Sequence, residues 1–295
     1  MRVAVFACAV FCLTGVPYRI VGLLNRRGRL ASVFFCYAGS RAFVRSYGLP
    51  GIAEMFRWRP SPIGIMRQGD EWGIVMASSM TEADFLDPAN ADDFAKLQMR
   101  LTRAAGQMGA RDNTVAGILP GVLKATDGMA FCDTKMTVVA AVTAAVGRMR
   151  DAHFPDGLQD VIVLGGAGRI GSVIVKDLRA QGLTCHVVDP AHGLTDFPHG
   201  LKGQRVLLLD VARKGAIADY IPLMWPGLVV LNEVFPAPSR RLVADMQAKG
   251  VEVFHLVGVY GRVMPPLPHG YQSAVPCCAA RPTKGAPDVR IIALG

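Results

Sequence analysis

The sequence lacks the features that mark membrane-spanning, metal-binding and disulfide-stapled proteins. It has no run of about 18 apolar residues, the length that crosses a bilayer. It also has no C-x-x-C and no H-E-x-x-H motif, and its six histidines are scattered. Only 19% of the residues are charged and 51% are hydrophobic, which is not the composition of a disordered chain. We therefore expect no metal site, and the 295 residues predict about two domains.

The sequence also lacks the regular cysteine spacing of a disulfide-bonded protein, which is informative about the cellular compartment. The seven cysteines are odd in number and show no regular spacing, which favours a reducing compartment such as the cytoplasm. The apolar stretch Val3–Val16 follows Arg2 and has some likeness to a signal peptide. It reads equally well as a buried strand, Val3–Phe11, so the sequence leaves open whether residues 1–20 are a targeting segment.

Acidic residues are nearly absent from the first 69 positions. This segment holds ten arginines and a single acid, Glu54, and so carries the whole formal excess of +9. Arginine suits bidentate contact with phosphate or carboxylate. The excess indicates either a solvated surface or an anionic partner, such as an acidic carrier protein, a phosphorylated substrate or a lipid surface. No RNA- or DNA-binding motif accompanies the charge, so we expect no nucleic-acid partner.

The first half of the chain shows strand and helix patterns in alternation. The predicted elements are a strand over 69–79, a helix over 92–106 with Asp92 as its N-cap, a buried strand over 115–119 and a helix over 136–149. The linker 153–157 (HFPDG) then breaks the pattern. We predict an N-terminal α/β domain over 1–150, which binds substrate or partner, and a Rossmann domain over 151–295.

The strongest motif lies directly after this linker. An apolar strand, Asp160–Leu164, runs into GGAGRIG, in which Gly166, Gly168 and Gly171 fit G-x-G-x-x-G. A helix follows over 172–181, and a second strand, Thr184–Val188, ends at an acid. Strand, glycines, helix, strand and acid in this order are typical of a dinucleotide-binding unit.

Each part of the motif has a physical reason. Gly166 permits the tight turn, Gly168 lets a pyrophosphate approach the backbone, and Gly171 lets helix and strand pack closely. The amides around Ala167, Arg169 and Ile170 are expected to hold the phosphates. Asp189 is placed to accept hydrogen bonds from the adenosine ribose, which favours NAD over NADP, although Arg169 could partly reverse that preference. The alternative is a glycine-rich turn in a fold that has lost its cofactor.

The remaining pattern predicts an α/β fold with a doubly wound parallel sheet. Strands are predicted over 204–209, 228–231 and 251–256, and helices over 216–223 and 239–249 with Ser239 as the N-cap of the second. Ligands bind at the carboxyl ends of such strands. The residues expected at that edge are 165–168, Asp189, 210–214 with Val211 beside the cofactor, 232–235 and 257–262.

Several side chains are candidates for chemistry beside a nicotinamide cofactor. Lys135, with Asp133 nearby, could protonate or polarise a carbonyl or imine, or could be a surface lysine. Cys277 or Cys278 could attack an acyl thioester, or could be a packed pair. Three further proton donors are possible in the last loops, each with a structural role as its alternative: Tyr260, His269 and Tyr271.

The order of these parts resembles the long-chain acyl-[acyl-carrier-protein] reductase family. The matching pieces are 100–108, 126–142, 165–172 (GGAGRIGS), 229–236 and 276–280 (PCCAA). The resemblance implies a cysteine nucleophile at Cys277 or Cys278. The chain departs from the family in Asp189, since the family prefers NADPH, and in its shorter C-terminus. The layout is also similar to shikimate-type and small amino-acid dehydrogenases. Shikimate-type enzymes use a catalytic Lys–Asp pair, so this second resemblance implies such a pair at Lys135 and Asp133.

These observations predict an NAD(P)-dependent oxidoreductase with a small-molecule substrate. One hypothesis is a reductase of a carbonyl-level substrate, including an acyl thioester on an acidic carrier that the arginine-rich first quarter would dock. A second is a dehydrogenase of a small amino or hydroxy acid, or of an imine. A third is a dinucleotide-binding sensor without catalysis. A homo-oligomer is compatible with all three.

Overall fold

A computed structural model describes most of the chain. The described residues are 15–25, 28–38, 57–124, 135–266, 274–281 and 285–295, together with positions 41, 44, 51 and 54. The predicted strand Val3–Phe11 and the candidates Asp133, His269 and Tyr271 lie outside these residues. The chain divides into two compact units, residues 1–134 with 261–267 and residues 135–260 with 268–295.

The structure contains the following helices and strands, given in chain order. They are α1 (Val16–Leu24), β1 (Leu30–Tyr37), β2 (Ser61–Gln68), β3 (Glu71–Ser78), α2 (Glu82–Leu86), α3 (Ala91–Met108), β4 (Asp112–Val115), α4 (Leu119–Lys124), α5 (Lys135–His153), β5 (Asp160–Leu164), α6 (Gly171–Ala180), β6 (Thr184–Val188), β7 (Val206–Asp210), β8 (Leu228–Asn232), α7 (Arg240–Gln247), β9 (Glu252–Tyr260), β10 (Arg262–Met264), β11 (Ala274–Val275) and β12 (Val289–Ala293). A 3-10 helix, Ala216–Leu223, lies between β7 and β8. None of the described helices is long and apolar enough to cross a membrane.

The first unit is built on a mixed sheet with the strand order β10-β2-β3-β1-β4. β1 is parallel to β3 and β4, whereas β2 is antiparallel to β3 and β10. The amphipathic helix α3 presents its apolar face, with Phe94, Leu97 and Leu101, to a core that includes Phe35 of β1. Burial of that face is what holds the helix on the sheet.

Two predictions for this unit need correction, and a third was incomplete. Asn90 is the N-cap residue of α3, and Asp92 lies in its first turn. The strand predicted over 115–119 ends at Val115, because Gly117 adopts a positive φ of 57° and Leu119 already starts α4. The strand predicted over 69–79 is β3, but its hairpin partner β2 was not predicted.

The second unit is a doubly wound parallel sheet, as predicted. Its strand order is β11-β9-β8-β7-β5-β6, with β12 also beside β9. The strands β6, β5, β7, β8 and β9 are parallel, and β11 and β12 are antiparallel to β9. Since β5 has β6 on one side and β7 on the other, the winding reverses there. This reversal is the switch point at which such sheets bind ligands.

Helices cover this sheet on both faces. One core contains residues of α5 and α6, and the other contains residues of the 3-10 helix and α7. The division between the units lies at 134/135 and not at the predicted 150/151. The reason is that Val138, Val139 and Val142 of α5 are buried in the core of the second unit, together with Val161 of β5.

Candidate dinucleotide site

The predicted glycine loop turns at the switch point of the second sheet. Gly165 follows β5 with a φ of 84°, a conformation that favours glycine. Its N–H donates to the carbonyl of Val188 at 2.7 Å. A Cβ at Gly165 would lie 2.6 Å from the Cα of Ala212, so a side chain is excluded there. The loop is thus tied to the end of β6 and packed against the segment that follows β7.

The three motif glycines meet different surroundings. A Cβ at Gly171 would lie 2.1 Å from the carbonyl oxygen of Gly165, which makes a larger residue incompatible with this backbone. A Cβ at Gly166 would lie 3.0 Å from Cγ1 of Val187. At Gly168 the nearest atom would be the oxygen of Gly165 at 3.3 Å. Gly171 therefore serves helix–strand packing, whereas at Gly168 a Cβ would be a tight fit, with Oδ2 of Asp189 as its next neighbour at 3.9 Å.

The first turn of α6 presents backbone donors beside this loop. Among the described residues, no acceptor pairs with the N–H groups of Ile170 and Gly171, whereas Ser172 N–H donates to Gly168 O at 2.9 Å. Unpaired N–H groups at a helix N-terminus carry a partial positive charge. Such donors fit an anionic group, for example a diphosphate.

Asp189 lies at the end of β6, beside the loop. Its side chain is 6% exposed. Oδ2 accepts a hydrogen bond from the N–H of Ala167 at 3.0 Å, and Oδ1 lies 3.1 Å from Nδ1 of His192. The backbone of Asp189 pairs with that of Leu194, at 2.6 Å and 3.0 Å. The carboxylate is therefore held in place at the position predicted to bind a ribose, and His192 contacts one of its two oxygens.

Two further carboxyl groups lie at the same edge of the sheet. Asp210 ends β7, is 2% exposed, and accepts a hydrogen bond from Ala212 N–H at 3.1 Å. Burial raises the pKa of Asp210 to about 7. Glu233 follows β8, and its N–H donates to Asp210 O at 3.0 Å. Burial, and then the charge of Asp210, raise the pKa of Glu233 to about 8. The pair thus retains at least one proton at neutral pH.

Cys277 belongs to the same neighbourhood. It is 8% exposed and packs in a core with Val138 and Val139 of α5. Burial, followed by the charges of Glu233 and Cys278, raises the pKa of the Cys277 thiol well above its usual value. The surroundings of this thiol oppose formation of the thiolate that a nucleophile needs.

A buried polar contact fixes the backbone next to Glu233. The Nδ2 of Asn232 donates to Val234 O at 2.8 Å and lies 2.8 Å from Nδ1 of His255. The same Nδ1 lies 3.0 Å from the carbonyl of Asn232. Burial lowers the pKa of His255, so the imidazole is neutral at pH 7. These contacts hold the turn that carries Glu233 at the end of β8.

The other predicted site residues are distributed around the second unit. Val211 donates its N–H to Leu164 O at 3.0 Å, which places it between the loop and β7. Arg169 is half-buried within the loop, and Cys278 is half-buried beside Cys277. Lys135 is the first residue of α5, and Tyr260 ends β9 with its side chain 46% exposed.

Sequence reasoning did not select Asp210 or Glu233 for chemistry. The signal was present, because each acid ends or directly follows a fully buried strand: Asp210 ends VLLLD, and Glu233 follows LVVLN. A carboxyl group at that place must lie at the ligand-binding edge of a parallel sheet. What the pattern did not reveal was their proximity and the resulting rise in pKa.

Part of the arginine excess in the first unit is balanced locally. Arg41 and Arg57 both bind Oδ1 of Asp84, and Arg41 and Arg57 also pair with Glu54. Burial opposes the ionisation of Asp84, but hydrogen bonds from Thr81 and Arg57 outweigh it and keep its pKa below the usual value. These arginines therefore stabilise the unit itself. No group of three or more candidate metal ligands occurs among the described residues.

Comparisons with known proteins add little to this geometry. No family model and no curated sequence matches the chain. Among similar solved structures, L-tryptophan dehydrogenase from Nostoc punctiforme is 13% identical with a TM-score of 0.34, and covers 76% of this chain and 68% of its own. D-2-hydroxyisocaproate dehydrogenase is 14% identical with a TM-score of 0.27, covering 75% and 77%. At these TM-scores the fold assignment rests on the strand order and not on the likeness.

Proposed function

We propose that the chain is an NAD(P)-dependent oxidoreductase that reduces a carbonyl-level substrate. The observation that carries this proposal is the arrangement at the switch point of the sheet. There the N–H donors of Ile170 and Gly171 and the carboxylate of Asp189 lie on one loop and the adjoining strand end, beside Gly168, which has no side chain. This set of groups matches a diphosphate next to a ribose.

The residues of this loop have separate tasks in binding. The amides of Ile170 and Gly171 would hold the diphosphate, and Asp189 would accept the ribose hydroxyls. The negative charge of Asp189 opposes a 2′-phosphate, which favours NAD over NADP. When bound, the dinucleotide supplies the reducing equivalent that the chain itself lacks.

Glu233 is the residue best suited to supply the proton. It lies at the carboxyl edge of the sheet, and its pKa of about 8 keeps it protonated at neutral pH. An acid whose pKa is near the working pH is an efficient proton donor to a carbonyl oxygen. Asp210 assists by its charge, which holds the proton on Glu233.

The surroundings of the candidate nucleophiles favour direct reduction of a ketone, aldehyde or imine. The raised pKa of Cys277 opposes acyl transfer to that thiol, so a thioester route would need the half-buried Cys278. Lys135, at the start of α5, remains a candidate for polarising the substrate, as in the small-acid dehydrogenase hypothesis, with Asp133 as its proposed partner.

Calorimetry with NADH and NADPH tests the proposal, followed by turnover assays with ketones, aldehydes, imines and acyl thioesters. We expect binding of NADH that Gly168→Ala abolishes. Gly147→Ala is the matched control, because a Cβ there meets nothing within 4 Å. Binding without turnover of any substrate would support the sensor hypothesis instead, and absence of binding would end the dinucleotide proposal.

A further inference from the structure

The short helix α1 is fixed to the first unit by one face. A Cβ at Gly22 would lie 2.1 Å from the backbone oxygen of Gln107, so α1 and α3 cross at close contact. Tyr18, on the same side of α1, is buried. Beyond the helix, Nδ2 of Asn25 lies 3.2 Å from Met108 O, and Oδ1 of Asn25 accepts from Leu30 N–H at 2.7 Å. The orientation of α1 about its own axis is therefore fixed.

The opposite face of α1 is apolar and exposed. Val16, Ile20, Leu23 and Leu24 are 47%, 46%, 61% and 79% exposed. Their spacing of four, three and one residues places them on one side of a helix with 3.6 residues per turn. A surface helix normally turns such a face towards the core. Here the core-facing side holds Tyr18 and Gly22, and the aliphatic side chains point outwards.

Two exposed arginines lie on α1 or close to its C-terminal end. Arg19 and Arg29 are exposed, and neither has an acidic partner within 4 Å among the described residues. In this they differ from Arg41, Arg57 and Arg67, which pair with acids of their own unit. Two exposed arginines without an acidic partner make the surface at this end of the unit attractive to anions.

We propose that the outward face of α1 is a contact surface for an anionic lipid bilayer. Ile20, Leu23 and Leu24 would enter the boundary between headgroups and acyl chains, while Arg19 and Arg29 would contact lipid phosphates. With nine residues, α1 lies along the membrane plane and does not cross it. The proposal does not depend on the dinucleotide site.

Charge and shape favour a bilayer over the other possible occupants. A second copy that paired through the same face would bring the arginines of the two copies together, and like charges oppose such a contact. The acidic side chains of a partner protein would pair with Arg19 and Arg29. They would not bury the aliphatic side chains of α1. A bilayer with anionic headgroups presents both an apolar interior and a layer of negative charge.

Vesicle flotation of the full chain tests this surface. We expect the protein to float with vesicles of equal parts phosphatidylcholine and phosphatidylglycerol, about tenfold more than with phosphatidylcholine alone, and to be released by salt. The double variant Leu23→Ser/Leu24→Ser, and separately Arg19→Glu, should each reduce binding about tenfold. Leu86→Ser is the matched control, since Leu86 is 59% exposed on α2, and it should bind like the wild type.

Three outcomes would overturn the proposal. The first is undiminished binding of Leu23→Ser/Leu24→Ser, which would assign any vesicle binding to another part of the chain. The second is equal, salt-independent binding to both vesicle types, or none to either. The third is a dimer in sedimentation that the double variant dissociates, which would make a second copy the occupant. Gly168→Ala should bind vesicles normally, so failure here and failure of the proposed function are separable.

Discussion

Ala167 donates its backbone N–H to Oδ2 of Asp189 at 3.0 Å, which joins the glycine loop to the end of β6. This contact allows the charge of Asp189 to be tested apart from its structural contribution. In Asp189→Asn the amide oxygen can still accept from Ala167, so the fold should persist. Because the negative charge is lost, we expect NADH affinity to fall about tenfold and the preference over NADPH to shrink, measured by calorimetry.

Asp189→Ala is the companion variant. It leaves the Ala167 N–H without its acceptor and should lower the free energy of unfolding by about 1–2 kcal/mol. Urea denaturation measures this loss. If Asp189→Asn bound both dinucleotides as the wild type does, Asp189 would be a structural residue of the loop and not a ribose ligand.

The glycines of the loop should separate into structural and binding positions. Gly171→Ala places a Cβ 2.1 Å from the backbone oxygen of Gly165 and should destabilise the protein by about 2–3 kcal/mol. Gly168→Ala places it 3.3 Å from the same atom, so we expect less than about 1 kcal/mol of destabilisation but loss of dinucleotide binding. Thermal denaturation and calorimetry on the same samples distinguish the two. Equal stability losses for both variants would contradict this division.

Much of the second unit follows from its sequence, because its elements are regular and strongly patterned. The strands Asp160–Leu164 and Thr184–Val188 have the predicted bounds, and Ser239 caps α7 by accepting from Leu242 N–H at 3.3 Å. The antiparallel strands β11 and β12 were missed. They are short, and their pairing with β9 is a long-range contact that local pattern does not encode.

The candidate site was predictable in position but not in chemistry. The glycine spacing located the loop and Asp189, since those groups are adjacent along the chain or at a fixed interval. The glycine spacing could not show that His192 would contact Asp189. Nor could it show that Glu233 and Cys277, 44 positions apart in the sequence, would be close together in the fold. Such pKa shifts arise from burial and from charges brought together by the fold.

Glu233 should make stability fall as the pH rises. Its pKa is 4.5 in the unfolded chain and about 8 in the folded protein, so between these values the folded state binds more protons. The free energy of unfolding must then decrease with pH in this interval and level off above it. Glu233→Gln removes one of the two groups that titrate in this interval, the other being Asp210 with a pKa of about 7. The variant should be more stable than the wild type near pH 8 by about 2–4 kcal/mol.

Urea denaturation across the interval measures this difference. Asp196→Asn, which replaces an exposed carboxylate, is the control variant. The carboxyl stretching band of Glu233, followed by infrared difference spectroscopy against Glu233→Gln, gives its titration directly and without any cofactor. A band that titrates near pH 4.5 would contradict both the raised pKa and the proton-donor assignment.

His192 should compete with the cofactor for Asp189. Its Nδ1 lies 3.1 Å from Oδ1 of Asp189, and the carboxylate is only 6% exposed, so a ribose must displace the imidazole to reach that oxygen. His192→Ala should therefore bind NADH about threefold more tightly, as a ligand no longer has to break this contact. His199→Ala, at an exposed histidine in the next 3-10 turn, should have no effect on affinity. Weaker binding by His192→Ala would contradict this prediction and would show that the imidazole contacts the bound dinucleotide.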